Sequence, residues 1–181
     1  STNFSDNQII LTFDEWIKFQ SAYSQLVISP PLKNKPELKI RNKSVVLKWN
    51  EPLKDSTTYT ISFGDAVRDI TENNITQNLK FVFSTGPFLD SLNCSGQIVD
   101  AESGNPVEGA LVMLYQNLED SIPLSQKPYY FSKTDKQGAF KIENIQNHRY
   151  RIFALTDKNS DYKYNLADEK IAFLDSSFLM N

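Results

Sequence analysis

Ser44-Val45-Val46-Leu47-Lys48-Trp49 and, shortly after it, Thr57-Thr58-Tyr59-Thr60-Ile61-Ser62-Phe63 are the stretches that decide the fold class. In the first, Val45, Leu47 and Trp49 alternate with Val46 and Lys48; in the second, Tyr59, Ile61 and Phe63 alternate with Thr58, Thr60 and Ser62. Successive side chains of an extended strand point to opposite faces, so a period of two marks a strand that buries one face. Asn42-Lys43, between Ile40 and Val45, reads as a tight hairpin turn. Ser29-Pro30-Pro31 and Glu51-Pro52 end strands because proline cannot donate to a ladder.

Working outward, the same grammar predicts strands over Gln8 to Phe13, Gln25 to Ser29, Glu37 to Arg41 and Leu79 to Ser84. A second series covers Cys94 to Asp100, Ala110 to Tyr115, Tyr129 to Lys133, Ala139 to Glu143, Tyr150 to Leu155 and Lys170 to Leu174. Ser103-Gly104-Asn105-Pro106 and Asp135-Lys136-Gln137-Gly138 are turn signals. Phe13 to Ile17 reads as a short helical turn or bulge, and Leu118 to Lys127 as a loop. No stretch of ~12 residues keeps a helical period. The expectation is an all-β chain of two tandem β-sandwiches. The Gly86-Pro87 break places the boundary between residues 1–87 and 91–181.

Twelve Phe, eight Tyr and two Trp against only six Gly predict aromatic-rich cores. Nineteen basic and 22 acidic residues, with no basic run, argue against a nucleic-acid partner. No segment approaches the ~20 consecutive apolar residues needed to span a bilayer, and Ser1-Thr2-Asn3-Phe4 does not read as a signal peptide. Any export signal or lipid anchor is therefore expected upstream of Ser1. The single cysteine, Cys94, excludes an internal disulfide and reads as a small buried side chain.

Ile10-Leu11-Thr12-Phe13-Asp14-Glu15, Leu53-Lys54-Asp55-Ser56-Thr57-Thr58-Tyr59-Thr60-Ile61 and Phe83-Ser84-Thr85-Gly86 resemble the bacterial Ig-like domain of surface-layer and lipoprotein type. The second half is similar to the carboxypeptidase-regulatory-like, transthyretin-like sandwich. Its resemblance rests on Gly96-Gln97-Ile98-Val99-Asp100, Pro106-Val107-Glu108-Gly109-Ala110, Gly138-Ala139-Phe140 and Tyr150-Arg151-Ile152. His148 departs from that pattern, which usually has glycine before the Tyr-X-Ile strand. In this order the two resemblances imply an exported Bacteroidota surface lipoprotein, associated with outer-membrane or cell-surface proteins and joined to the membrane only through an upstream lipid anchor. The carboxypeptidase-regulatory-like family carries no zinc ligands, so the resemblance implies no peptidase activity.

One histidine and one cysteine cannot build a His-rich zinc site, and a Ser-His-Asp triad would have to use His148, which sits in a polar turn. No enzyme is expected. The candidate metal site is Asp157, Asn159 and Asp161, with Asp168 at the twelfth position, an echo of a calcium loop. Tyr162 stands where such a loop has glycine, and Asp168 where it has the longer glutamate, with Glu169 adjacent. A solvated turn capped by its own side chains is the other reading. Asp65, Asp69, Glu72 and Asn73 form a second acidic loop, in which Arg68 can pair with a neighbouring carboxylate. Tyr129, Tyr130, Phe131, Tyr162 and Tyr164 could present an aromatic surface to a protein or a polysaccharide, although strand alternation should bury part of the Tyr129–Phe131 run. The functional expectation is a non-catalytic structural or protein-interaction module, with a glycan-binding adhesion module as the alternative.

Overall fold

The two stretches that decide the fold class lie at the centres of two sheets. The computed structural model describes residues 1–74 and 79–181, which form two units, Ser1–Ile28 with Leu32–Leu89, and Ser29–Pro31 with Asp90–Asn181. In the first unit the strands are β1 (Gln8–Thr12), β2 (Ile17–Phe19), β3 (Val27–Ser29), β4 (Glu37–Arg41), β5 (Ser44–Lys48), β6 (Thr58–Ser62), β7 (Val67–Asp69) and β8 (Lys80–Ser84), with helix α1 (Ala22–Gln25) between β2 and β3. They build sheets in the orders β1-β5-β4 and β3-β6-β8, and a ribbon β2-β7.

Antiparallel register lines up Ile9, Leu47 and Leu38 across one sheet and pairs Tyr59 with Phe83 in the other. These residues share one core, in which Trp49 (6.0 Å, 3°) and Tyr59 (5.4 Å, 12°) each stack with Phe83. At Asn42 the β4–β5 turn takes the left-handed conformation (φ 53°), which Asn tolerates better than branched residues.

The second unit contains β9 (Leu92–Gln97), β10 (Leu111–Tyr115), α2 (Ile122–Ser125), β11 (Tyr130–Lys133), β12 (Ala139–Ile145), β13 (Arg149–Leu155), β14 (Ile171–Phe173) and β15 (Phe178–Leu179). One sheet runs β11-β10-β13-β14, with β15 also on β13; a smaller one is β12-β9. Val112, Leu114, Tyr130, Ile142, Ile145 and Tyr150 fill the space between them. The fold is all-β sandwich.

Several expectations are corrected. Ile17 and Val67 belong to the β2-β7 ribbon rather than to a helical turn and a loop; three residues are too few to show a period, and both face the core. The strand expected from Gln25 begins at Val27, after α1. The strand expected at Cys94–Asp100 runs instead from Leu92 to Gln97, starting two residues earlier and ending three earlier, and Val99 makes only an isolated bridge to Pro106. α2 interrupts the expected 118–127 loop. All five residues of β10 are buried, because both faces of that central strand are covered.

Candidate functional site

The calcium-like loop closes on itself. Asp157 accepts the backbone N–H groups of Ser160 (2.8 Å) and Tyr162 (3.0 Å). Asn159 accepts from the Asp161 N–H (3.1 Å) and donates its amide to Asp161 Oδ2 (3.2 Å) and Asn165 Oδ1 (3.1 Å). Asp168 stands apart from that set, paired with Lys158 Nζ at 2.5 Å, and this pairing holds its carboxyl below the usual range. The neighbouring Glu169, only 5 % exposed, accepts N–H groups from Lys158, Asn165 and Leu166 at 3.0–3.1 Å. Burial pushes its carboxyl up, but these three donors outweigh it and keep the carboxyl ionised below its ordinary value. Among the described residues no group of three or more His, Cys, Asp or Glu is arranged to hold a metal ion.

Tyr162 takes a positive φ of 67°, the conformation a glycine would adopt at that position. Its ring meets Phe131 edge-on at 4.9 Å, with Lys127 Nζ 5.6 Å from the ring centre. The loop thereby covers the outer face of the β10-containing sheet. Tyr130 and Phe131 are both buried (1 % and 3 %), on opposite faces of β11. The expected aromatic surface is therefore reduced to the half-buried Tyr129, Tyr162 and Tyr164.

The second acidic loop is also locally satisfied: Asp69 accepts N–H groups from Glu72, Asn74 and Asn73, and these bonds lower its pKa. Among the described residues Arg68 does not make the expected pair; it lies opposite Lys18 across the ribbon, and its Nε is buried with no hydrogen-bond partner among them. His148 is exposed, with Nδ1 2.8 Å from the Arg149 carbonyl oxygen.

The feature that sequence reasoning missed is an apolar groove of about 410 Å³ in the second unit. Cys94 and Ile98 line one side, Ile152, Ala154 and Ala172 the floor, and Phe178 one end. Ala154 lies directly opposite Ala172 in the β13–β14 register, so two small side chains leave the floor low. Above it, β9 pairs with β12 alone among the described residues, and at the other rim β14 pairs with β13. Ile98, Ala154 and Ala172 also line a wider cleft of about 700 Å³, in which Asp100 is paired with Lys170 at 2.6 Å and Lys158 with Asp168 at 2.5 Å, while Glu102 is exposed. The sequence signals were the uncharged run Leu92 to Gln97 and the two alanines, none of which stands out without the register.

Comparison with known proteins adds the following. The family described as "Bacterial Ig-like domain" matches residues 1–85, slightly under half of the chain. No curated protein matches. Among solved structures, the major pilin subunit of Bacillus cereus is 15 % identical over 96 % of this chain and 54 % of its own, with a TM-score of 0.30. A backbone pilin of Streptococcus pyogenes is 11 % identical over 92 % of this chain and 42 % of its own, with a TM-score of 0.28. The chain thus spans about half the length of these pilins, and scores this low do not establish a shared fold.

Proposed function

We propose that the chain is a non-catalytic structural and protein-interaction module of an exported cell-surface lipoprotein, serving as a subunit of an outer-membrane-associated protein complex. The observation that carries this reading is the bacterial Ig-like match over residues 1–85. Support comes from the chemistry of the polar clusters: Asp69, Asp157 and Glu169 each spend their oxygens on backbone N–H groups of their own loops, which is scaffold work rather than catalysis. No helix among the described residues is long and apolar enough to cross a membrane, and an upstream lipid anchor is part of the proposal. So are the carboxypeptidase-regulatory-like assignment of residues 91–181, the domain limits 1–87 and 91–181, and the Bacteroidota setting.

Affinity capture of the native full-length protein from detergent-solubilised envelopes, with quantitative mass spectrometry, tests the reading. A stoichiometric outer-membrane or cell-surface protein is the expected result. Recovery of the protein alone, together with retention on immobilised polysaccharide, would move the assignment to a glycan-binding adhesion module.

A further inference from the structure

We infer that the apolar groove of the second unit is a strand acceptor: it takes an uncharged, extended segment of another polypeptide, with apolar side chains at alternate positions, added along the open edge of β9. The inference rests on the protein-interaction reading above and names the chemistry of the partner.

Three observations carry it. First, the layers are unequal, five strands, β11-β10-β13-β14 with β15 also on β13, facing the two-stranded β12-β9. Ala172, an inward position opposite the buried Ala154, is exposed as a result, so apolar floor lies open where a third strand of the smaller sheet would sit. A globular ligand could fill that volume, but the second observation selects a strand.

The bond from Ile98 N–H to Gly138 O (2.8 Å), with the β9–β12 register, directs the backbone groups of Cys94 and Gly96 toward β12. By alternation Asn93, Ser95 and Gln97 present theirs to the open edge, where β9 has no strand partner among the described residues. Unpaired N–H and C=O groups in a row are a template for another strand.

Third, the charge pattern fits a neutral occupant. Natural edges are guarded by Lys, Pro or inward charges, yet Leu92-Asn93-Cys94-Ser95-Gly96-Gln97 and Ile171-Ala172-Phe173-Leu174 carry none. In the adjoining cleft Asp100 is paired with Lys170 and Lys158 with Asp168, which leaves only the exposed Glu102 among its charged lining residues outside those two ion pairs. The groove itself is lined by no charged residue among those described, so an apolar segment lying in it meets no unpaired charge, whereas an acidic or basic one finds no counter-ion there.

The test uses a fluorescent peptide of about eight residues, a common strand length, alternating valine and threonine, against a control of the same composition with its valines in one block. Cys94 lines the groove and serves as the reporter. The alternating peptide is expected to bind by anisotropy and to slow Cys94 alkylation about tenfold, as burial under a strand would. Ser95→Pro, which removes an edge donor at an exposed position, and Ala172→Glu, which puts a charge on the exposed floor, should each weaken binding about tenfold or more. Circular dichroism of both variants must match the parent.

Equal binding of both peptides, or loss in neither folded variant, would overturn the inference. So would Cys94 already protected in the free full-length protein, which would mean that its own chain or a second copy fills the groove. Binding of a small apolar dye without peptide binding would reassign it as a ligand pocket. Envelope capture can succeed while the peptide fails, so the two readings fall separately.

Discussion

Gln146 lies between two tyrosines. Its N–H donates to the Tyr130 hydroxyl (3.3 Å), and its carbonyl accepts from the Tyr150 hydroxyl (3.1 Å). Burial is the main reason both phenols titrate far above their ordinary range, that of Tyr150 pushed up to about 12. A buried tyrosine needs a partner for its hydroxyl, and a backbone carbonyl at a turn supplies one without competing with a ladder. Tyr150→Phe keeps the ring and removes the bond, so it should cost about 1 kcal/mol in urea unfolding at neutral pH. An unchanged midpoint would show that water replaces the bond. The strand that carries Tyr150 was legible from the run Tyr150 to Leu155. The part played by Tyr130 was not, because nothing local says that its hydroxyl meets a turn sixteen residues away.

At the scale of elements, the long alternating strands were legible; of the three-residue strands β3 and β14 were, and β2 and β7 were not. β5 and β6 declare themselves, whereas Val67-Arg68-Asp69 hides a strand under two charges, and Asp69 then turns inward to organise the following turn. Because its backbone donors depress the pKa of Asp69, the stabilisation exists above the unfolded value near ~3.9 and disappears as pH falls through the lower folded value. The melting temperature of Asp69→Asn should therefore fall less than the parent's between pH ~5 and ~2; parallel curves would mean the carboxylate is not held.

The loop of Asp157, Asn159 and Asp161 was legible as a turn, but its packing role was not, since Tyr162 meets Phe131 only after folding. The Lys158–Asp168 pair leads us to expect that millimolar calcium changes the melting temperature by less than about 1 °C; a rise of several degrees reversed by chelator would establish the ion.

For the whole molecule, the division into two units rests on where the contacts cluster, and the positions of two residue types make it testable. Both tryptophans, Trp16 and Trp49, lie in the first unit, with Trp49 buried against Phe83. Tryptophan fluorescence therefore reports unfolding of that unit, while far-ultraviolet circular dichroism reports both. Gly138 is a lever confined to the second: its φ is +72°, and a Cβ would meet the Ile98 carbonyl oxygen at 2.4 Å. Gly138→Ala thus combines left-handed strain with a backbone clash and should destabilise its unit by about 1–3 kcal/mol. If the units unfold independently, the substitution moves the dichroism transition to lower urea, splits it into two steps, and leaves the fluorescence midpoint where it was. Coincident shifts of both signals would show a single cooperative block, and residues 1–87 would then not be expected to fold when expressed alone. We expect the split. Each unit has its own aromatic core, Trp49-Phe83-Tyr59 in one and Tyr130-Tyr150 in the other, and a core of its own is what lets a domain unfold on its own.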